Sequence, residues 1–298
     1  MQLDLQDYLR RQKERIDQAL LGYIRRLCPS DLLLAPMEYA VMAGGKRLRP
    51  VLCLAAANAI CGDGDPALPA ACALEMIHTY SLIHDDLPAV DNDMLRRGKS
   101  TCHVKFGEAT AILSGDAFLN MAFEVLSDAG DAPRQANASK WIQVIKIIST
   151  ASGCRGMLDG QARDLAYEGV KLDHGELRQL HGLKTGALIL SAVHSGAVIA
   201  GGASGQIDRL KRYAAKIGLA FQVVDDILNV TGDPELLGKA VGSDQLRGKN
   251  TYPGLMGLEA SRQYAKGLVE DALQALAIFD NKADPLRAVA RYIIDRNR

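Results

Sequence analysis

What the sequence lacks narrows the field first. None of its six cysteines, at positions 28, 53, 61, 72, 102 and 154, forms a CxxC pair. Several sit in apolar surroundings such as Val51-Leu52-Cys53-Leu54, which reads as buried, reduced thiols in a cytoplasmic protein rather than a disulfide framework or a zinc site. There is no excess of either charge: 35 basic residues meet 35 acidic ones, with no basic stripe, so neither nucleic acid nor an anionic membrane is an expected partner. No alternating strand pattern, fixed-period repeat or low-complexity linker occurs. The N-terminal stretch MQLDLQDYLRRQKERIDQAL has no apolar core for export, and its acids argue against a transit peptide.

From Thr185 to Ile207 the chain lacks charge altogether, apart from what His194 carries. The run is long enough to cross a bilayer. Its many Gly, Ala and Ser residues give it little transfer free energy, however, so it is expected to be a close-packed interior or subunit-interface helix and no membrane span is expected.

What is present is apolar and helical. Of 298 residues, 48% are hydrophobic, ample for a substantial core. Helical periodicity predicts long helices over Leu3–Leu27, Ala70–Leu87, Thr110–Ser127, Trp141–Gly153, Gly175–Ala200 and Ile207–Val230. Breaks are expected at Cys28-Pro29-Ser30, Cys61-Gly62-Asp63-Gly64, Gly201-Gly202-Ala203-Ser204-Gly205 and Gly232-Asp233-Pro234, with a polar loop over Asp128–Ala138. The expected fold is all-α: one large helical bundle, a single domain over 1–298.

Two acidic clusters stand against this apolar background. Asp85-Asp86-Leu87-Pro88-Ala89-Val90-Asp91-Asn92-Asp93 ends one apolar helix, and Asp225-Asp226-Ile227-Leu228-Asn229 lies inside another. Adjacent carboxylates at such positions are costly unless their charge is compensated. Oxygen ligands without a His or Cys partner suit Mg²⁺, a hard cation that keeps water and bridges to phosphate. On an unbroken helix Asp85 and Asp91, six apart, point roughly 120° away from each other. Pro88 removes a helical hydrogen bond, so the helix is expected to unwind there and fold Asp91 back toward Asp85.

Basic residues complete the pattern. Gly44-Gly45-Lys46-Arg47-Leu48-Arg49-Pro50 sets three cations after two glycines, and Arg96-Arg97-Gly98-Lys99 follows the first acidic cluster. Lys184-Thr185-Gly186 opens the uncharged run, and Lys239 and Lys249 follow the second acidic cluster. Guanidinium forks and lysines are the usual ligands of diphosphate oxygens. Beside two metal-type clusters, they suggest a site for more than one diphosphate.

At these residues the chain resembles the short-chain trans-isoprenyl diphosphate synthases. Asp85-Asp86-x4-Asp91-x4-Arg96-Arg97-Gly98 resembles that family's first aspartate-rich motif, with the two-residue insertion of the bacterial farnesyl diphosphate synthases. Phe221-Gln222-Val223-Val224-Asp225-Asp226-Ile227-Leu228 resembles the second. Gly44–Pro50, Gly160-Gln161-Ala162-Arg163-Asp164 and Lys249-Asn250-Thr251-Tyr252-Pro253 also match in order and spacing.

The resemblance implies a helical homodimer of the isoprenoid synthase type with a deep central cavity in each subunit. It implies three Mg²⁺ per active site, held by Asp85 and Asp91, with Asp86 as a supporting ligand, and by Asp225 on the opposite wall. Arg96, Lys184, Lys239 and Lys249 would hold an allylic diphosphate; Gly45, Lys46, Arg49, His78 and Arg97 would hold isopentenyl diphosphate. Thr185 and Gln222 would lie beside the developing allylic cation. Tyr80, about 7–8 Å before Asp85 on its helix, with Ser81 beside it, resembles the floor that stops the product at farnesyl length; a geranylgeranyl product stays open. One departure is Asn229, where the family usually has Asp. Arg296 or Arg298 could close over the diphosphates, and His84, His103, His181 and His194 read as packed or hydrogen-bonded. A terpene cyclase and a non-catalytic subunit of a prenyltransferase are the competing readings; the retained isopentenyl-site cations argue against the first, and the intact aspartate and arginine pairs against the second.

Overall fold

The computed structural model describes residues 3–131, 138–231 and 248–296. Over these the chain is helical almost throughout. α1 (Leu5–Leu27) opens where Asp4 accepts the Asp7 amide at 3.1 Å, so the predicted start at Leu3 moves in by two residues to its cap. α2 (Asp31–Val41) follows the Cys28-Pro29-Ser30 break. α3 (Leu48–Cys61) ends on Gly62, whose φ of 82° is the left-handed cap that glycine adopts readily. α4 (Leu68–Asp85), α5 (Cys102–Phe106), α6 (Glu108–Asp131), α7 (Ala138–Ser152) and α8 (Met157–Ala166) come next. Both ends of the loop expected over Asp128–Ala138 are helical, because α6 keeps its helical bonds through Asp131 and α7 begins at Ala138; 132–137 lie outside the described residues.

Between α4 and α5 lies a feature the periodicity gave no sign of, a two-residue hairpin pairing β1 (Leu95–Arg96) with β2 (Lys99–Ser100). Its turn is made by Arg97, with φ 54°, and Gly98, with φ 75°. Such short strands fall below the length at which alternation can be seen.

The predicted Gly175–Ala200 helix is one helical run in three parts: α9 (His174–His181), a π-helical segment (Gly182–Gly186) and α10 (Ala187–Ile199). α11 (Ser204–Thr231) carries the second acidic cluster, and α12 (Tyr252–Met256), α13 (Leu258–Ala275) and α14 (Asp284–Asp295) complete the described chain. Gly232-Asp233-Pro234, Lys239 and Arg298 lie outside the described residues.

α3 and α10 are apolar on all sides, the composition of a helix that meets protein all round. They pack on each other and divide the core. Cys53, Leu54 and Ala57 of α3 and Leu188 and Ala192 of α10 belong to a cluster with α4, α6 and α7. Leu52, Ala55 and Ala59 of α3 and Ile189, Val193 and Ala197 of α10 belong to a second cluster with α11, α13 and α14. The uncharged run is thus an interior helix, as its small residues suggested. Two helical runs, Glu108–Gly130 and His174–Ile199, have the length and apolarity to cross a membrane, and 61% of the apolar 18-residue stretch of the second is buried inside the bundle.

Candidate active site

α4 brings Asp85 to its last turn and stops there. Beyond Pro88 the backbone curls: the Asn92 amide bonds to the Leu87 carbonyl at 3.1 Å, and the Asp91 amide returns to the Asp85 carbonyl at 2.8 Å. Asn92 takes the left-handed conformation, φ 51°. The six-residue separation of Asp85 and Asp91 is closed by this unwinding, as Pro88 required. Burial pushes the Asp85 carboxyl up to about 6, and the Asp91 and Asp86 charges push the same way, against Lys184 and Arg96. A carboxylate so placed gains from any cation that arrives.

Asp86, next in sequence, has a different environment. Its carboxylate is buried and takes the Arg96 guanidinium on both oxygens, the Arg96 Nε lying 2.8 and 2.9 Å away; Arg96 also approaches Asp93 at 3.7 Å. The two residues expected to bind metal and allylic diphosphate are here each other's partners.

α8, the π segment and the stretch before α12 supply the next group. Lys184 Nζ donates to Asp164 Oδ2 at 2.5 Å. Lys249 Nζ reaches both Asp164 Oδ2 and Asp91 Oδ1 at 3.3 Å. Burial works against ionising Asp164, but these two ammonium groups hold it below the usual carboxylate range. The π turn widens the helix by one residue at Lys184 and Thr185, the kind of irregularity often found at functional positions.

From the π segment Thr185 Oγ1 donates to Gln222 Oε1 of α11 at 2.8 Å, and on α11 Gln222 Nε2 donates to Asp226 Oδ1 at 2.9 Å. Asp226 Oδ2 accepts the Tyr252 amide at 2.9 Å. Asp226 is thus buried behind Gln222, whereas its neighbour Asp225 is 41% exposed and pairs with Arg296 at 2.6 Å. His181 lies 3.8 Å from Asp226, and burial brings its pKa down to about 4, so it is neutral.

A cavity of about 630 Å³ opens beside Asp225. It is lined by Gly45, Lys46, Arg49, His78 and Arg97, the set expected to hold isopentenyl diphosphate, together with Arg47, Glu75, Phe221, Asn229 and Arg296. Among the described lining residues, Lys46, Arg47, Arg49, Arg97 and Arg296 outnumber the carboxylates Glu75 and Asp225. The imbalance has an electrostatic signature. Desolvation, then the charges of Arg49, Arg97, Arg96 and Arg47, drives His78 well below its usual 6.5. Desolvation also lowers Arg49 and Arg97, whose charges oppose one another. Buried cations that destabilise one another are the complement of a polyanion.

Arg47 is the exception among these cations. It turns inward, bonding Asp17 at 2.7 Å and Glu75 at 2.8 Å with its own side chain 2% exposed. Its neighbours Lys46 and Arg49 are thereby left to the cavity. Gly45 has φ 128°, and a Cβ built there would come 2.6 Å from Arg97 Nη1. Only glycine gives both the backbone angle and the space that the Arg97 guanidinium fills, while Arg97 also donates to the Gly44 carbonyl.

Tyr80 and Ser81 lie earlier on α4, away from this cavity's lining. Tyr80 is 4% exposed with its ring edge-to-face on His84, centroids 5.7 Å apart; Ser81 Oγ donates to the His78 carbonyl at 2.9 Å. Sequence reasoning did not single out Asp164, Asp226 or Glu75 for any task, nor Arg47 as a structural cation. Asp164 closes the Gly160–Asp164 stretch and Asp226 adjoins Asp225, so their types were visible; their partners, far away in sequence, were not.

Among the described residues, no three His, Cys, Asp or Glu side chains converge closely enough to hold a metal ion by themselves. Asp225 lines the cation-rich cavity, and Asp85, Asp91 and Asp225 offer carboxylate oxygens without a His or Cys among them. That donor set fits a hard divalent cation whose remaining ligands are water and phosphate oxygens.

Comparison with known proteins agrees with this geometry. Residues 30–286 match the polyprenyl synthetase family. The chain is 47% identical to a farnesyl diphosphate synthase of Escherichia coli, with 96% of each chain covered. It is 45% identical to a geranylgeranyl diphosphate synthase of Cyanophora paradoxa, over 99% of this chain and 97% of that one. The crystal structure of an FPP/GFPP synthase from Zymomonas mobilis superposes with a TM-score of 0.84 at 39% identity, covering 99% of this chain and all of that one. With its all-α fold, its paired acidic clusters and the cations between them, the chain belongs to the polyprenyl synthetase family and is a short-chain trans-prenyltransferase.

Proposed function

We propose that this enzyme condenses dimethylallyl or geranyl diphosphate with isopentenyl diphosphate to give farnesyl diphosphate, using magnesium. The observation that carries the reading is the cavity beside Asp225, whose arginines and lysine exceed its carboxylates, with desolvation and neighbouring arginine charges lowering Arg49 and Arg97. Such a space favours a diphosphate over any neutral ligand. Lys46, Arg49, His78 and Arg97 hold isopentenyl diphosphate there and keep its C–O bond intact. Lys184, Arg96 and Lys249 hold the allylic diphosphate near the first acidic cluster, and Lys239, which lies outside the described residues, is assigned to the same diphosphate.

Asp85, with Asp86 in support, and Asp91 on one wall and Asp225 on the other would hold Mg²⁺, three ions per site, which offsets the charge of the leaving diphosphate. The allylic C–O bond breaks and its electron pair leaves with the diphosphate. The oxygens of Thr185 and Gln222 lie toward the cation that develops at the allylic carbon, held by the Gln222–Asp226 hydrogen bond. The double bond of isopentenyl diphosphate attacks that carbon, and proton loss to the departing diphosphate restores an alkene. Preorganised charge and proximity supply most of the rate.

Farnesyl length rests on Tyr80, a bulky ring on the helix that ends in Asp85. Relatives of near-equal identity carry the name of geranylgeranyl diphosphate synthase, so a longer product is the second reading. The enzyme is further proposed to act as one domain over 1–298, in the cytoplasm, as a homodimer. Exposed Ile112 and Leu113 of α6 and Ile142 of α7 support an apolar contact surface for the last point. Purified protein given Mg²⁺ and both diphosphates, with products sized by mass spectrometry, tests the whole reading. Farnesyl diphosphate is expected; no turnover would overturn the proposal, and a mainly geranylgeranyl product would replace Tyr80 as floor.

A further inference from the structure

We infer that product length is set by a three-residue relay, in which a gap at Gly115 seats the His84 imidazole and the imidazole in turn holds the Tyr80 ring. The inference rests on the proposed role of Tyr80 as the floor of the prenyl pocket. It adds two positioning residues, on different helices, that touch no substrate.

The geometry is as follows. Tyr80 and His84 are one turn apart on α4 and so share a face. Their rings meet edge to face, 5.7 Å between centroids at 77°. The far side of the imidazole rests on α6, which packs along α4. There His84 Nε2 lies 3.1 Å from the Ile112 carbonyl oxygen, to which its N–H donates. A Cβ built at Gly115 would come 2.2 Å from His84 Nε2, 2.6 Å from Cδ2 and 2.9 Å from Cε1. The imidazole therefore fills the volume that any other residue at 115 would need. Glycine weakens a helix interior relative to alanine, and α6 tolerates it where the ring enters.

Tyr80, buried on α4, thus has one flank formed by a side chain whose own position is fixed from the neighbouring helix. If the imidazole is removed, the phenol ring has room to swing toward α6, which deepens the pocket. If the imidazole is pushed out by a methyl group at 115, the same support is lost.

The test is product sizing by mass spectrometry for the full-length enzyme carrying His84→Ala, Gly115→Ala, the double substitution, and Tyr80→Ala as reference. His84→Ala is expected to raise the ratio of the product one isoprene unit longer to the parent product on the order of tenfold, the scale on which an apolar pocket discriminates small size differences. Gly115→Ala is expected to shift it the same way. In the double variant the alanine methyl occupies the space the ring has left, so the shift should equal that of His84→Ala alone rather than the sum. Unchanged product length in His84→Ala while Tyr80→Ala lengthens the product would overturn the relay, as would shifts that add. Unchanged length in Tyr80→Ala would instead overturn the floor reading beneath it. Should Gly115→Ala fail to fold by circular dichroism, His84→Ala against Tyr80→Ala decides the question.

Discussion

The Arg296 guanidinium lies 2.6 Å from Asp225 Oδ1, bonds the Phe221 carbonyl at 2.7 Å and stacks 4.0 Å over the Phe221 ring. The far end of the chain thereby supplies a counter-charge to the carboxylate on the second acidic wall. Asp225 is two-fifths exposed while the Arg296 side chain is almost fully buried, so solvent screens the pair from the aspartate side. Arg296→Ala should lower stability by about 1–2 kcal/mol in urea titration, solvent screening part of the loss at Asp225. Because Arg296 also lines the cavity with Lys46 and Arg49, the same change should raise KM for isopentenyl diphosphate more than it lowers kcat. An unchanged KM would exclude the arginine from that site.

Asp226 is expected to matter through Gln222 rather than through metal. Its oxygens are taken by the Gln222 amide and the Tyr252 backbone. Asp226→Asn should cut kcat roughly 10–100-fold, the usual cost of losing a group that orients a reacting residue, with KM for both diphosphates nearly unchanged. Magnesium dependence of the rate should stay as in the parent. A shift in the magnesium requirement would instead make Asp226 a ligand.

His78 links the cavity's charge to pH. In the unfolded chain it titrates near 6.5, while in the folded protein desolvation and four arginines hold it well below that value. The unfolded state therefore binds the proton first, so this residue leaves stability intact above pH 6.5 and lowers it as pH falls below 6.5. The slope should reach at most about 1.4 kcal/mol per pH unit. Unfolding titrations of the parent and of His78→Gln between pH 5 and 7 measure it as the difference between the two curves. Parallel curves would mean that His78 is protonated equally in both states.

Arg47 should behave as a core residue despite its place between two cavity-lining cations. It answers Asp17 and Glu75 at once, with Glu75 only 3% exposed. Arg47→Ala leaves the buried Glu75 carboxylate without its cation, while Asp17 keeps Lys13, and should cost about 3–5 kcal/mol, seen as a large fall in melting temperature. Arg49→Ala should leave the melting temperature nearly unchanged and raise KM for isopentenyl diphosphate. The reverse pattern would exchange their assignments.

Much of this was legible along the chain. Helices Leu5–Leu27, Leu68–Asp85 and Ser204–Thr231 lie within a few residues of their predicted spans, because 3.6-residue periodicity and glycine or proline breaks act locally. The return of Asp91 to Asp85 followed from Pro88, a covalent constraint that needs no partner. The hairpin at Leu95–Ser100 and the π turn at Gly182–Gly186 were not legible. Each is too short to leave a period, and each exists because neighbouring helices hold it.

The sequence by itself determined an all-helical chain with two acidic clusters, a set of cations near them and an uncharged helix at its centre. Only the tertiary structure decided that Asp225 lines the cavity and pairs with Arg296 while Asp86 and Asp226 turn to Arg96 and Gln222, and that Arg47 goes inward while Arg49 lines the cavity. Consecutive residues on a helix point roughly 100° apart. Which of two adjacent like charges reaches the ligand is therefore fixed by the angle at which each helix is docked, and that angle comes from packing between residues far apart in the chain.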